Sequence, residues 1–227
     1  MTVFVTGATG FLGATLTAHW RARGFAVRDS GHARLGEALP DAEFAGCDAV
    51  VHLAHDFALE AAERNRQGTM AWFDAAARAG VQRQLFVSSF SARSDSASVY
   101  GATKFAIEQT LLPRGSLIVR PGLVAGNGGM FARMVRTLRR TPVAPLVLPD
   151  ARSVAVVSME DFLTAMTRLL EGSEMGAWNL FAPSLLTGRE FTHAVWRGLA
   201  KRGFVLEVPQ GLAVGSLRLV GADRALD

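Results

Sequence analysis

The fold of this chain is decided by the stretch Thr6-Gly7-Ala8-Thr9-Gly10-Phe11-Leu12-Gly13. Glycine recurs there at every third residue, between a β-branched run at residues 3–6 and a helical pattern at about residues 11–23. In a strand-turn-helix junction, the first glycine permits the tight turn, the second lets the backbone approach a pyrophosphate, and the third lets the helix pack closely on the strand. The amides at the positive end of the helix then face the anion. The stretch therefore predicts a dinucleotide-binding loop.

The remainder of the first 120 residues alternates between extended and helical patterns. Strands are predicted at residues 25–28, 49–54, 84–89 and 117–120, and helices at residues 59–79 and 99–112. Strands that alternate with helices through short joins are typical of a parallel sheet covered on both faces. The predicted fold class is therefore α/β, a doubly wound parallel sheet of the Rossmann type with a small C-terminal substrate-side lobe.

The pattern loosens after residue 122. Helices are predicted at residues 130–140 and 159–170, with extended pieces at 154–157 and 178–181. We expect one NAD(P)-binding Rossmann domain over residues 1–227, with substrate-side segments at about 126–150 and 172–227.

Composition excludes several classes of protein. Of the 227 residues, 49% are apolar and 19% charged, so the chain can bury a core. The single cysteine excludes an internal disulfide and favours a reducing compartment. No apolar run reaches the ~18 residues of a membrane span, and the N-terminus lacks the pattern of a signal peptide. We therefore expect a cytoplasmic protein with no membrane partner.

The net charge of +4 gives little support for a nucleic-acid partner. Four arginines cluster in one predicted helix, at positions 133, 136, 139 and 140. They could contact phosphates, but a solvated helix face is the favoured interpretation, and no nucleic-acid partner is expected.

The chain has one tyrosine and two lysines, and the pair Tyr100 and Lys104 lies four residues apart on one face of a predicted helix. A phenol has an ordinary pKa of about 10, and a neighbouring ammonium lowers it towards the range of an acid or base. Ser89 ends a predicted strand, where ligands bind in a doubly wound sheet. Ser89 could bind a substrate oxygen while Tyr100 transfers the proton. The alternative to a catalytic pair is that Tyr100 and Lys104 are surface residues of an ordinary helix. The glycine loop upstream disfavours this alternative.

Arg28 and Asp29, at the end of the second predicted strand, bear on the choice of dinucleotide. An acid there accepts the 2′-hydroxyl of NAD, whereas an arginine favours the 2′-phosphate of NADP. His32 and Arg34 follow in the next loop and could also contact this part of the cofactor. Both cofactors stay open, with a slight preference for NADP.

These motifs together resemble the short-chain dehydrogenase/reductase superfamily, specifically the extended branch of NAD-dependent epimerase/dehydratase proteins. The resemblance covers residues 2–182 and rests on TGATGFLG at 6–13, HLA at 52–54, Asn65 with Gly68-Thr69, VSS at 87–89, YGATK at 100–104, RPGLV at 120–124 and SMED at 158–161.

The resemblance implies that Tyr100 is the general acid/base, Lys104 its pKa partner and ribose ligand, and Ser89 the donor to the substrate oxygen. A hydride would move between the nicotinamide and a carbinol or carbonyl carbon. The substrate would be sugar-like, including nucleotide-sugars, or a small hydroxy or carbonyl compound. With the glycine loop, the expected cofactor-binding residues are Gly7, Thr9, Gly10, Phe11, Leu12, Arg28, Asp29, Leu53, Ala54, His55, Ser88, Tyr100, Lys104, Pro121, Gly122 and Leu123.

The chain departs from the family pattern in three places. Residues 30–47 are too few for the usual strand and helix, so the sheet is expected to lack a strand on that side. About 45 residues follow Ala182, which argues against a large nucleotide-sugar pocket. Phe90 and Ser91 stand where 4,6-dehydratases carry an acidic pair, which favours an epimerase or a reductase over a dehydratase.

Three further interpretations concern the activity, a metal site and the oligomeric state. A cofactor-sensing regulator without activity would share the fold, but such proteins usually lose the Tyr-Lys pair. His52, His55 and Asp56 lack the further ligands of a metal site, so no metal is expected. Trp72 and Phe73 would indicate a homodimer if they formed an exposed stripe, or would pack on the sheet.

Overall fold

The computed structural model describes residues 1–148 and 153–209. It divides into two compact units: the first comprises Met1–Pro121 and Glu160–Leu180, and the second comprises Gly122–Met159 and the residues from Phe181 onward. In chain order, the strands are β1 (Thr2–Thr6), β2 (Ala26–Asp29), β3 (Ala49–His52), β4 (Arg83–Val87), β5 (Leu117–Pro121), β6 (Leu123–Ala125), β7 (Val143–Leu148), β8 (Ser153–Val154), β9 (Val156–Ser158), β10 (Gly176–Leu180), β11 (Leu186–Thr187) and β12 (Phe204–Pro209). The helices are α1 (Phe11–Ala22), α2 (Ala62–Arg78), α3 (Val99–Leu111), α4 (Gly129–Arg140), α5 (Met159–Glu171) and α6 (Gly188–Gly198).

The first unit is built on a six-stranded sheet with the order β10-β5-β4-β3-β1-β2, in which every neighbouring pair is parallel. The register aligns Thr6 with His52, and His52 with Phe86. The carboxyl ends of β1, β3 and β4 therefore meet at one edge of the sheet. This confirms the predicted doubly wound α/β fold.

Side chains alternate between the two faces of this sheet, and both faces are buried. One face carries Phe4 and Val50, which pack with Trp72 of α2 in one cluster. Phe86 on the same face packs with Ile107 of α3. The alternate residues, Val3 and Val5 among them, are fully buried on the other face. Helices α1 and α5 are joined by a hydrogen bond of 2.9 Å, which the Trp20 indole donates to the Thr167 hydroxyl.

Strand β2 is an edge strand, as the short 30–47 segment led us to expect. That segment forms loops and one 3₁₀ turn, Asp41–Glu43. Its apolar residues complete the core, since Leu35, Phe44 and Cys47 are buried in the cluster that contains Phe4.

In the second unit, the described residues form three strand pairs and two helices. Strand β6 pairs with β9 and β7 with β12, both parallel, and β8 pairs with β11 antiparallel. Its core is formed by Leu138, Ala144, Phe191, Val195 and Trp196. The four clustered arginines of α4 are all exposed, as on a solvated helix face. Residues 149–150 and 210–227 of the expected substrate-side segments lie outside the described residues.

Trp72 and Phe73 do not form an exposed stripe. Trp72 is buried and its indole donates to the Glu37 carbonyl at 2.8 Å, while Phe73 stacks on His52 with ring centroids 3.9 Å apart. These two residues pack within the chain, so they give no support to a homodimer. Throughout the described part of the chain, the helices are too short or too polar to span a bilayer.

Candidate active site

The glycine loop is held against the end of β3 by a close backbone approach. Gly7 has φ +69°, and a Cβ at this position would lie 2.7 Å from the Ala54 nitrogen. The Thr6 hydroxyl accepts hydrogen bonds from the amides of Leu53 and Ala54, at 3.1 and 3.2 Å. A Cβ at Gly13 would overlap the Gly7 carbonyl oxygen. Two of the three glycines are therefore required by packing alone.

Gly10 has a different environment, because it is exposed and a Cβ there would meet only the Gly7 carbonyl oxygen, at 3.3 Å. It is the N-cap residue of α1, and among the residues that the structure describes no side chain caps this helix end. The first amides of the helix, those of Phe11 and Leu12, consequently lack intrahelical acceptors, and they follow the exposed Thr9. An uncapped helix N-terminus beside a bare glycine backbone fits a pyrophosphate.

Two buried hydroxyls beside the sheet strengthen this fit. Ser88 follows β4 and Ser30 follows β2, and within the described residues neither Oγ atom has a hydrogen-bond partner. Buried polar groups are normally paired, so both hydroxyls are suited to bind a ligand at the carboxyl edge of the sheet. The residues present therefore fit a bound dinucleotide. Ser30 was not among the residues predicted from sequence.

Arg28 and Asp29 are both engaged within the protein. The Arg28 guanidinium donates to the carbonyls of Ala45 and Glu43, at 2.8 and 2.5 Å. The Asp29 carboxylate accepts from the Gly31 amide at 2.9 Å and from Arg21 at 3.2 Å. Arg28 thus ties the 41–46 turn to β2, a contact that its position beside Asp29 did not suggest.

Ser89 and Tyr100 are brought together by the loop between β4 and α3. Strand β4 ends at Val87, two residues earlier than predicted, so Ser89 lies at the start of this loop. Its hydroxyl interacts with the phenol of Tyr100, and this interaction lowers the pKa of the phenol. Burial outweighs it, and the pKa of Tyr100 is raised above its usual value. The same loop carries Ser91, whose hydroxyl lies 2.9 Å from that of Ser89 and which sequence analysis did not assign to the site.

Lys104 is buried, with 3% of its surface exposed, and its ammonium donates to the Val87 carbonyl at 2.9 Å. It lies over the rings of Phe86 and Tyr100, with 4.6 and 5.8 Å between Nζ and the ring centroids. Burial lowers the pKa of Lys104 to about 7, although the nearby Glu108 carboxylate raises it. The lysine therefore changes charge in the neutral range beside the tyrosine.

Glu108 is completely buried and forms a bidentate ion pair with Arg120 of β5, whose Nε lies 2.9 and 3.0 Å from the two carboxylate oxygens. Burying a carboxylate is costly unless it is paired in this way. The pair fixes α3, and with it Tyr100 and Lys104, against the sheet.

Two aromatic rings border the phenol. His55 packs edge-on against Tyr100 with centroids 4.9 Å apart, and Phe57 stacks on Tyr100 at 5.6 Å with an interplanar angle of 19°. Burial, together with the adjacent Lys104 charge, lowers the pKa of His55 to about 3, so this imidazole is neutral near pH 7. Phe57 is 78% exposed. No sequence pattern distinguished it from other loop residues.

These features are those of a known family. The sequence profile described as the NAD dependent epimerase/dehydratase family matches residues 3–180. The chain belongs to the NAD-dependent epimerase/dehydratase family. This confirms the resemblance inferred from the motifs, and the family is NAD(P)-dependent.

One curated relative has a name that describes an activity. A protein of Caulobacter vibrioides, named ceramide reductase, is 35% identical over 189 residues, which are 70% of this chain and 57% of that protein. The chain thus aligns with just over half the length of this curated relative.

Several solved structures share the fold. A UDP-N-acetylglucosamine 4-epimerase from Bacillus cereus has a TM-score of 0.72 at 20% identity, over 92% of this chain and 85% of that one. A dTDP-glucose 4,6-dehydratase from Streptomyces venezuelae, solved with NAD, has a TM-score of 0.74 at 22% identity, over 92% and 84% of the two chains. A Pseudomonas aeruginosa protein, complexed with NADPH, has a TM-score of 0.71 at 22% identity, over 91% and 87%.

The other predicted residues of the family site are distributed over both units. Pro121 ends β5, and its carbonyl accepts the Phe90 amide at 2.9 Å. Gly122 and Leu123 begin the second unit, where a Cβ at Gly122 would lie 2.5 Å from the Ala155 carbonyl oxygen. The residues that the structure describes contain no cluster of three or more potential metal ligands.

Proposed function

We propose that this member of the family is an NAD(P)-dependent oxidoreductase that interconverts a carbonyl and a carbinol, with Tyr100 as the general acid/base. The observation that carries the proposal is the position of the buried Lys104 ammonium 5.8 Å from the centre of the Tyr100 ring, with the Ser89 hydroxyl near enough to lower the pKa of the phenol. A phenol, a hydroxyl donor and a cation converge there at the carboxyl edge of the sheet. A cofactor-sensing regulator has no use for such a convergence.

The protein's contribution to reduction follows from these contacts. When bound, the reduced nicotinamide supplies the hydride. The hydroxyls of Ser89 and Tyr100 both donate to the substrate carbonyl oxygen, which must insert between them, and Tyr100 gives up its proton as negative charge develops there. A charged Lys104 stabilises the phenolate that remains.

Reduction is the proposed reaction in preference to epimerisation or dehydration. Ser91 and Phe90 stand where an acidic pair would serve water elimination, and the 35% identical relative is named a reductase. The exposed ring of Phe57, stacked on Tyr100, supports a substrate with an apolar group next to its carbonyl. We therefore propose a carbonyl compound with an apolar chain as the substrate, in preference to a nucleotide-sugar.

NADP is the proposed cofactor. Arg28 is held by two carbonyls, so the 2′-phosphate is assigned to Arg34, an exposed arginine of the following loop that forms no ion pair with any residue in the described ranges. Arg34→Ala should weaken NADPH binding about tenfold, the value of one charge-assisted contact, and leave NADH binding unchanged. Fluorescence titration with both nucleotides measures this, and equal losses for the two would contradict the assignment.

The proposed function is tested by oxidation of NADPH with a panel of long-chain ketones, short-chain ketones and nucleotide-sugars. The intact chain should reduce a ketone, whereas Tyr100→Phe should lose at least ~100-fold in kcat, the usual contribution of a general acid, and still bind NADPH. His193→Phe, an aromatic change in the second unit, is the control for an unrelated ring. If Tyr100→Phe retains full turnover, the acid/base assignment is wrong.

A further inference from the structure

Positive charge is concentrated in the second unit. Its residues include eleven basic and five acidic side chains, a net charge of +6, whereas the first unit has thirteen basic and fifteen acidic ones, a net charge of −2. In the first unit, the exposed arginines Arg64, Arg78 and Arg114 each contact a carboxylate. A surplus of one sign on one part of a protein favours partners of the opposite sign. The second unit therefore suits an anionic partner.

Helix α4 carries the densest part of this charge and contains no acidic residue. The spacing of its four arginines places them within an arc of about 120° around the helix. The opposite arc holds Phe131, Met134 and Leu138, which pack in the core of the unit. All four arginines are exposed, and none forms an ion pair with a side chain in residues 1–148 and 153–209. Their charge is thus directed away from the core and is not neutralised there.

The arginines at the end of α4 are not needed to neutralise the C-terminus of the helix. The Lys201 ammonium donates to the carbonyls of Arg139 and Thr141, at 2.6 and 3.2 Å. A cation in this position binds the last carbonyls of a helix and offsets the negative end of its dipole. The guanidinium groups of Arg139 and Arg140 therefore remain available to a partner.

Exposed apolar side chains adjoin this end of α4. The Phe204 amide donates to the Pro142 carbonyl at 2.9 Å, two residues after the helix ends at Arg140. Phe204 and Leu206 lie on one face of β12 and are 59% and 51% exposed, whereas Val205 between them packs against the core of the unit. A single exposed apolar side chain is ordinary, but two on one strand face beside a basic helix form an amphipathic surface.

We propose that the arginine face of α4 and the exposed face of β12 bind the surface of an anionic lipid bilayer. Clustered arginines are attracted to acidic headgroups, and aromatic and leucine side chains are buried at the boundary between headgroups and acyl chains. A nucleic acid would engage the arginines but would offer Phe204 and Leu206 no comparable apolar layer, so the bilayer is the favoured partner. Peripheral binding needs no spanning helix, and it differs in this from the membrane partner that composition argues against.

The test is sedimentation with vesicles of phosphatidylcholine, prepared with and without phosphatidylglycerol. The intact chain should bind the vesicles that contain phosphatidylglycerol, and less so at high salt. Arg139→Gln/Arg140→Gln should weaken this binding about thirtyfold, whereas Arg139→Lys/Arg140→Lys, which keeps the charge, should stay within about twofold.

The matched control removes the same charge from the first unit. Arg23 and Arg168 are exposed and form no ion pair in the part of the chain that the structure describes. Arg23→Gln/Arg168→Gln should therefore bind vesicles as the intact chain does. If this control loses as much binding as Arg139→Gln/Arg140→Gln, or if the intact chain does not sediment with anionic vesicles, the docking surface is wrong.

A second pair of variants tests the apolar part of the surface. Phe204→Ser/Leu206→Ser should weaken vesicle binding about tenfold, by a similar factor at low and high salt, because salt screens charges and not apolar burial. Met175→Ser/Trp178→Ser, at exposed apolar positions of the first unit, is the control and should change nothing. If Phe204→Ser/Leu206→Ser alters self-association in sedimentation velocity but not vesicle binding, the face of β12 joins copies of this chain and the proposal is overturned. Binding of duplex DNA without binding of vesicles would overturn it in favour of a nucleic acid. None of these measurements depends on turnover, so they stand apart from the proposed oxidoreductase function.

Discussion

Lys104 is a residue in which burial and charge oppose each other. Its ammonium is enclosed with one hydrogen bond, to the Val87 carbonyl, and burial lowers the pKa of Lys104 to about 7. Glu108 raises it, but Arg120 shares that carboxylate. An amine that titrates near neutrality can stabilise a phenolate when charged, and it costs less to bury when neutral. This balance has a measurable consequence for stability.

We predict that Lys104→Met removes a pH dependence from the free energy of unfolding. The folded pKa of about 7 lies below the unfolded value of about 10.4, so the penalty for burying the ammonium is full below pH 7 and declines as pH rises towards 10. The wild-type chain should therefore gain on the order of 4 kcal/mol relative to Lys104→Met between these limits. Urea unfolding at pH 6, 8 and 10 measures the difference, and a constant difference would contradict the lowered pKa.

Phe57 should affect substrate selection without affecting stability. It is largely exposed, so Phe57→Ala removes little packing, but the ring stacked on Tyr100 is lost to an apolar substrate. We expect KM for a long-chain ketone to rise about tenfold, equivalent to roughly 1.4 kcal/mol, with KM for a short ketone unchanged. Leu59→Ala, 48% exposed in the same segment, is the matched control. Equal effects of Phe57→Ala on both ketones would exclude a role in selection.

At the scale of elements, two glycines near the N-terminus of α1 have different roles. Gly10 is expected to contact the cofactor, and Gly13 is required by packing. Gly10 has φ −76° and a Cβ there would lie 3.3 Å from the Gly7 carbonyl oxygen, a tight contact that a small shift relieves, whereas a Cβ at Gly13 overlaps that oxygen. Gly10→Ala should therefore cost less than about 1 kcal/mol of stability but weaken NADPH binding more than ~10-fold. Gly13→Ala should destabilise the fold by roughly 2 kcal/mol through overpacking. Urea unfolding and nucleotide titration of both variants measure this; the reverse pattern would contradict the loop's assignment.

The elements that sequence predicted well are those specified locally. The loop at residues 6–13 follows from glycine spacing, and the pairing of Tyr100 with Lys104 follows from the helical period. Contacts between distant segments were not predictable. Arg28 binds carbonyls of a turn about 15 residues later, and the Trp20 indole donates to the Thr167 hydroxyl, 147 residues away. Neither contact leaves a periodic signature in the sequence.

At the scale of the whole molecule, cofactor binding must be coupled to stability. The glycine loop, Ser88 and the Tyr100–Lys104 helix all belong to the first unit, whose chain runs through Met1–Pro121 and returns at Glu160–Leu180. A ligand that binds the folded state alone stabilises it by about 2.7 kcal/mol at a concentration 100 times Kd. This coupling gives a measure of binding that is independent of turnover.

Release of the cofactor distinguishes a reductase from an epimerase. An epimerase returns the hydride to the same substrate and has no need to exchange its nucleotide, whereas a reductase must release the oxidised form every turnover. We predict that the purified chain carries well under one nucleotide per chain and that added NADPH raises its melting temperature in a concentration-dependent way. Absorbance of the denatured supernatant and thermal unfolding measure the two quantities. Stoichiometric, tightly retained nucleotide would instead indicate epimerisation, since the uncapped α1 and the orphan hydroxyl of Ser88 serve either reaction equally.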